Sequence, residues 1–227
     1  MSETVAFEIE DGVAVIRIDD GKANAMSPSM IANVDEALTK AEREGAVVLL
    51  TGREGLFCAG FDLQVFEQGH EPTIAMLRAG AALLERIFAF QRPVIVACGG
   101  HAVAMGSFLL MCADYRIGAE GSFKIGMNEV AIGMTLPYFA VELARFRLNP
   151  TRFDRATLLA ELYSPEEAVT TGFLDQVVAP EAVIGVARET AAVLSKLDMT
   201  AYAASKARTR RNTLDAFRRM VDAEFKS

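Results

Sequence analysis

Histidine is almost missing from this chain. His70 and His101 are its two copies, and tryptophan is absent altogether. Two histidines exclude a histidine-rich metal centre. Cysteine is scarce as well: Cys58, Cys98 and Cys112 lie far apart, each among apolar neighbours, with no CxxC and no Cys/His pairing. That pattern speaks against a disulfide framework or a zinc site and fits a reducing cytoplasm. Long apolar runs are lacking too. Val94–Cys98 and Phe108–Ala113 fall far short of the ~20 residues a membrane-spanning helix needs. The opening MSETVAFEIEDG has no basic start and no long apolar stretch, so no secretory signal is expected. Positive charge is in deficit, with 23 Lys and Arg against 30 Asp and Glu and a net charge of −7. Neither nucleic acid nor a membrane surface is therefore an expected partner.

What is present suits a well-buried globular core: 52% of the 227 residues are hydrophobic and 23% charged. Val5–Glu8 and Val13–Ile18 flank a turn at Glu10-Asp11-Gly12 and read as a strand pair. Ser27-Pro28 marks a helix start, with Ile31, Val34, Leu38 and Ala41 at helical spacing and Gly45 as its stop. Val47–Leu50 reads as a buried strand and Arg53–Asp62 as a loop. A helix around Ile74–Phe90 follows, closed by Pro93. Val94–Ala97 is a strand, 106–112 a helix and Tyr115–Ile117 a strand. Ser164-Pro165-Glu166-Glu167 forms a capping box, Gly172 ends the helix it starts, and Leu174–Val178 is extended. Strands alternating with helices predict an α/β fold, with a core over 1–195 and a helical tail over 196–227. In the tail, KARTRRNTLDAFRR (206–219) reads either as a solvated helix face or as cations meeting a phosphorylated ligand.

Three segments carry possible chemistry. FCAGFDL (57–63) and HAVAMGSF (101–108) each pass from extended chain through small residues into a helix. Small residues let a ligand approach the main chain, and a helix start offers unpaired amides at the positive end of its dipole. Two such turns converging on one point could hold an oxyanion without any ionisable side chain. Packing alone produces similar turns. In FKIGMNEVAIGMTLP (123–137), Glu129 stands among Ile125, Met127, Val130, Ile132 and Met134. Apolar surroundings raise a carboxyl pKa toward the range of general acid/base work, unless this is simply a surface glutamate beside the core.

Together, FCAGFDL, GGHAVAMGSFLLMCAD, KIGMNEVAIGMTLP, SPEEAVTTGFLDQVV and the loop GKANAMS (21–27) resemble the enoyl-CoA hydratase/isomerase, or crotonase, superfamily over nearly the whole chain. The glutamate segment is most similar to the Δ3,Δ2-enoyl-CoA isomerases. The resemblance implies a crotonase-like right-handed spiral of ββα units with a helical C-terminal region. It implies an acyl-CoA thioester substrate whose enolate oxygen is held by the backbone N–H groups of Phe61 and Met105, with Glu129 as base. Lys22, Ala23 and Asn24, with Ala59, Gly60, Asp62, Leu63 and Gly106, would meet coenzyme A and the thioester. Asp62 is expected to brace its own loop. Phe66, Phe108, Met134 and Leu136 would line the acyl pocket. No metal and no separate cofactor is implied, since coenzyme A arrives with the substrate, and a homotrimer or hexamer is expected.

Two departures matter. Hydratases of the superfamily carry a second glutamate where this chain has Phe108, which cannot position or deprotonate water. Isomerisation is therefore the preferred reading. Water addition by a hydratase, another enolate chemistry such as thioester hydrolysis, and a non-catalytic acyl-CoA-binding protein are the alternatives. Typical members also continue for about one more helix past Phe225-Lys226-Ser227.

Overall fold

The computed structural model describes residues 4–225. Met1–Glu3, at the start of the stretch read for a secretory signal, and Lys226-Ser227 lie outside the described residues. The chain first makes a hairpin, β1 (Val5–Glu10) and β2 (Val13–Ile18). Its turn is Asp11-Gly12, both at positive φ (49° and 76°), the geometry a tight hairpin requires. Strand β1 therefore runs two residues further than its pattern suggested. Helix α1 (Pro28–Arg43) starts where Ser27 Oγ accepts from the Met30 amide at 3.2 Å. It buries Met30, Ile31, Val34, Ala37, Leu38 and Ala41, the three-and-four spacing of one helix face. Gly45, at φ 62°, ends it.

From there the chain alternates between two sheets. Strands β3 (Val47–Thr51), β5 (Val94–Cys98), β7 (Tyr115–Ala119) and β9 (Gln176–Val178) extend the hairpin into a six-stranded sheet of order β1-β2-β3-β5-β7-β9. All pairings after the hairpin are parallel. Strands β4 (Gly55–Cys58), β6 (Gly100–Val103) and β8 (Ile125–Gly126) form a second parallel sheet of three. Helices α2 (Leu63–Phe66), α3 (His70–Ala89) and α4 (Met105–Cys112) follow the strands of the small sheet. Each turn of the chain thus gives one strand to each sheet and then a helix, the ββα spiral the resemblance implied. Strand β4 lies inside the segment read as a loop, and β6 and β8 escaped the sequence reading as well.

The central strands are buried on both faces, as expected for parallel strands covered by helices. Val48, Leu50, Val94 and Val96 join a large core with α1, α3 and α4, while Val47, Leu49, Ile95 and Ala97 join a smaller one under α8 (Val183–Leu194). Helix α5 is Tyr138–Arg147 and α6 Phe153–Thr157; α7 (Pro165–Thr171) carries the expected capping box. There Glu167 N donates to Ser164 Oγ at 3.3 Å, and Ser164 N donates to Glu167 Oε2 at 3.0 Å. The final helix, α9 (Met199–Glu224), packs on α3 and α5, and its Leu214 and Phe217 enter the large core.

The solvated-face reading of the basic stretch 206–219 holds for Arg208, Arg211, Arg218 and Arg219, which are exposed, and is corrected for two residues. Lys206 and Arg210 are neither solvated nor available to a ligand, with 7% and 5% exposure. Both donate to Asp114 at 2.7 Å, and Arg210 also donates to the carbonyls of Phe88 and Cys112. Among the described residues no helix is long and apolar enough to cross a membrane. All three cysteines are free and buried, and burial pushes each thiol up to about 12.

Candidate active site

The three strands of the small sheet end side by side, and each delivers one of the three chemical segments. After β4 the chain passes through Ala59-Gly60-Phe61. Gly60 takes φ 118°, a conformation closed to most side chains. After β6, Ala104 takes φ 51° and gives its amide to the Gly126 carbonyl at 3.0 Å. Its own carbonyl accepts from Ser107 N at 2.9 Å and Ser107 Oγ at 2.7 Å. Helix α4 begins at the next residue, so the Met105 amide has no intrahelical partner. These turns press together: a Cβ on Gly60 would sit 3.0 Å from Ala104 Cβ and 4.0 Å from Met105 N.

Gly106 makes that approach possible, because a Cβ there would lie 2.3 Å from the Cys58 carbonyl oxygen. It packs against strand β4 and does not line the site, which corrects its expected contact with substrate. Gly80 of α3 plays a similar part for the Phe61 ring, which a Cβ would approach to 2.5 Å.

After β8, Glu129 opens a short 3-10 turn, Val130–Ile132, closed by Gly133 at φ 79°. The Glu129 carbonyl accepts from Met134 N at 2.8 Å and Ile132 N at 3.1 Å. Its side chain is buried at 5% exposure, and Oε2 has no hydrogen-bond partner. Desolvation lifts its pKa from 4.5 to about 7, partly offset by the backbone amides of Glu129 and Asn128. The Asn128 Oδ1 is likewise buried and unpartnered.

A cavity of about 140 Å³ joins the three segments. Ala59, Gly60 and Phe61 line it from the first segment, Ala104 and Phe108 from the second, and Asn128, Glu129 and Met134 from the third. Phe66 belongs to the wall as expected. Leu136 does not: it packs against the core, and Pro137 lines the cavity beside it. Leu77 of α3, Ile132, Asn128 and Pro137 complete the lining without having been singled out. For Leu77 no signal was available, since it sits in an ordinary apolar helix face; Asn128 adjoins the glutamate.

A second, larger cleft of about 450 Å³ adjoins the first and shares Ala59, Phe61 and Leu63 with it. Lys22, Ala23 and Asp62 line it as expected. Asp62 caps α2, accepting from Gln64 N at 3.0 Å, which is the bracing role read from sequence. Asn24 is corrected: it is fully buried and does not line the cleft. Its Oδ1 accepts from Asp20 N at 3.0 Å, and its Nδ2 donates to the carbonyls of Ile18 and Phe57 at 3.0 and 3.2 Å. Asn24 therefore shapes the loop, whose Ala23 carbonyl accepts from Ala59 N at 3.1 Å. Among the described residues no group of three or more His, Cys, Asp or Glu could hold a metal ion.

Two close-packed turns at the mouths of parallel strands and a buried carboxyl line one largely apolar cavity of a ββα-spiral protein. The family model for enoyl-CoA hydratase/isomerase matches residues 8–226. The chain belongs to that family. It is similar to a solved enoyl-CoA hydratase/isomerase family protein from Pseudomonas syringae: 42% identical, TM-score 0.96, covering 98% of this chain and 96% of that one. It is similar to a protein of Mycobacterium tuberculosis that is described as an enoyl-CoA isomerase in one solved structure (41% identical, TM-score 0.94, 98% coverage of both chains) and as a probable enoyl-CoA hydratase in another (41% identical, TM-score 0.95). It is also 31% identical to the crotonyl-CoA hydratase of Syntrophomonas wolfei, over 86% of this chain and 76% of that protein. Solved relatives of nearly equal length thus exist, although the sequence reading held typical members to be about one helix longer.

Proposed function

We propose that the chain is an enoyl-CoA isomerase that moves a double bond from C3–C4 to C2–C3 with Glu129 as its single base. The observation that carries this reading is that, among the described residues, Glu129 is the one carboxyl lining the cavity, while Phe108 lines it where a second would be needed. The thioester oxygen lies between the amides of Phe61 and Met105. The Glu129 carboxylate takes a proton from C2, the C–H electrons form a C1–C2 double bond and the carbonyl π pair moves onto the thioester oxygen, giving a dienolate that keeps its C3–C4 double bond. The same carboxyl then returns the proton to C4, restoring the carbonyl and leaving C2–C3 unsaturated. One donor in an oxyanion hole is worth roughly a hundred- to thousand-fold in rate.

Desolvation supports this role, since a base with a pKa near 7 is close to the working pH. The cleft beside Lys22 and Ala23 suits the coenzyme A part. No cofactor is needed, because one carboxyl performs both proton transfers. The exposed pair Leu158 and Leu159 favours burial between subunits of a homotrimer or hexamer, which the mass of the particle in solution tests.

A hydratase reading has one observation in its favour. Asn128 Oδ1 and Glu129 Oε2 are two unpartnered buried acceptors at one cavity, and a water molecule has two hydrogens to give. Supplying a 3-enoyl-CoA and a 2-enoyl-CoA of equal length separates the readings. A double-bond shift without change of mass supports the isomerase; a gain of one water from the 2-enoyl substrate overturns it.

A further inference from the structure

We propose that the site takes short acyl groups, of up to about six carbons, and that Phe108 and Leu77 set the limit. This rests on the acyl-CoA reading above and extends it to the class of substrate. The lining of the cavity joins the two turns, Gly60 and Ala104, to Phe108 and Leu77, which we take as its floor. Its volume of about 140 Å³ is close to the ~150 Å³ of an engineered apolar cavity that holds one benzene, six carbon atoms. Counted from the carbonyl carbon, six carbons fill it.

The floor is braced from behind. Phe108 is fully buried, and its ring meets Phe139 edge-on with centroids 6.1 Å apart. Phe139 in turn packs on Phe217 at 5.6 Å and Phe225 at 6.4 Å. These rings come from α4, α5, α9 and the residue that ends α9, so yielding to a longer chain would disturb the packing of three helices. Close-packed interiors resist such displacement. The residue that takes the place of a second carboxylate is, on this geometry, also the stopper of the acyl pocket.

Titration calorimetry with saturated acyl-CoAs of two, four, six, ten and sixteen carbons, kept below micelle formation, tests the limit without turnover. In the wild type, affinity should rise about fourfold per methylene up to six carbons and gain nothing beyond. Leu77→Ala, on a partly buried residue, should move the break toward ten carbons. Phe108→Leu should do the same where circular dichroism shows it folded. Affinity that climbs through sixteen carbons in the wild type would overturn the limit and leave the acyl-CoA reading standing. An unmoved break in Leu77→Ala would overturn the assignment of the floor. No binding at any length would overturn the acyl-CoA reading itself and the limit with it.

Discussion

Replacing Glu129 by Gln removes one ionisation and keeps the side chain's shape, which makes its effect on stability computable. In the folded protein the carboxyl titrates near 7, against an ordinary value of 4.5, because burial penalises its charged form. Between those pH values the folded state binds more protons than the unfolded state, so this group makes stability fall as pH rises. The fall begins near pH 4.5 and levels off above pH 7. Two and a half pH units at about 1.4 kcal/mol each amount to about 3 kcal/mol. Glutamine imitates the protonated acid and pays none of this. Glu129→Gln should therefore match the wild type near pH 4.5 and exceed its stability by about 3 kcal/mol at pH 8. For a chain of this size that is roughly 6–12 °C in melting temperature.

Thermal unfolding of both proteins at pH 5 and pH 8 measures the effect, since every other titrating group cancels in the comparison. Turnover and acyl-CoA binding are measured on the same samples. The variant should lose at least a hundred- to ten-thousand-fold in turnover while still binding. Wild-type kcat/KM should rise with pH and level off above about 7, as the carboxylate form becomes populated. An equal difference in melting temperature at both pH values would refute the buried-carboxyl argument. Turnover that survives would refute Glu129 as the base. A wild type that binds acyl-CoA but turns over neither enoyl isomer would return the reading to a non-catalytic binding protein.

Gly106→Ala places a methyl 2.3 Å from the Cys58 carbonyl oxygen. It should cost about 1–3 kcal/mol in denaturant unfolding and lower kcat more than it raises KM, because it shifts the start of α4. Asn24→Ala strips its loop of the bonds to Asp20, Ile18 and Phe57. It should cost about 1–3 kcal/mol and raise KM for the thioester more than it lowers kcat; an unchanged KM would detach this loop from binding. Asp114→Ala leaves Lys206 and Arg210 buried without their carboxylate, and should destabilise by about 3–5 kcal/mol, measurable by urea unfolding.

The large sheet was legible because its strands are long enough to show themselves. VAVIRI, VVLLT and VIVAC are runs of β-branched and apolar residues. Helix α1 and α7 announced themselves through Ser-Pro caps that the hydrogen bonds confirm. The small sheet was not legible. Its strands are GLFC, GHAV and IG, too short for a period-two pattern and interrupted by glycine. Gly100 is needed there because a Cβ would lie 1.9 Å from the Gly55 carbonyl carbon. The tight spacing that brings the chemical segments together therefore erases the usual strand signal. The motifs supplied the segments, and their side-chain roles depended on direction. Asn24 lies in the right loop and Gly106 in the right helix, but both face inward, bracing what their neighbours present. Lys206 and Arg210 hold inward positions of α9 that the charge pattern alone would give to solvent.

That inward pair bears on the site through α4. The helix starts at Met105, next to the Ala104 that lines the cavity, and turns its last carbonyls toward the C-terminal half of the chain. Arg147 donates to the carbonyls of Met111 and Ala113, and Arg210 to that of Cys112. Cations at a helix C-terminus are favourable, and a guanidinium fork holds a carbonyl in a fixed direction. Burial makes the arrangement costly: Arg147 is pulled down to about 10 and Lys206 to about 8, desolvation being the largest cause in each. Asp114 offsets that cost by accepting from Lys206, Arg210 and the Val94 amide together. Such clusters add little net stability over well-packed apolar side chains, so stability alone does not account for this one. Its geometric effect is to tie α9, α5 and strand β5 to one end of an eight-residue helix. Moving that end would move the Met105 amide at the other. On this argument the ionic cluster serves as the anchor that fixes where the start of α4 stands beside the cavity.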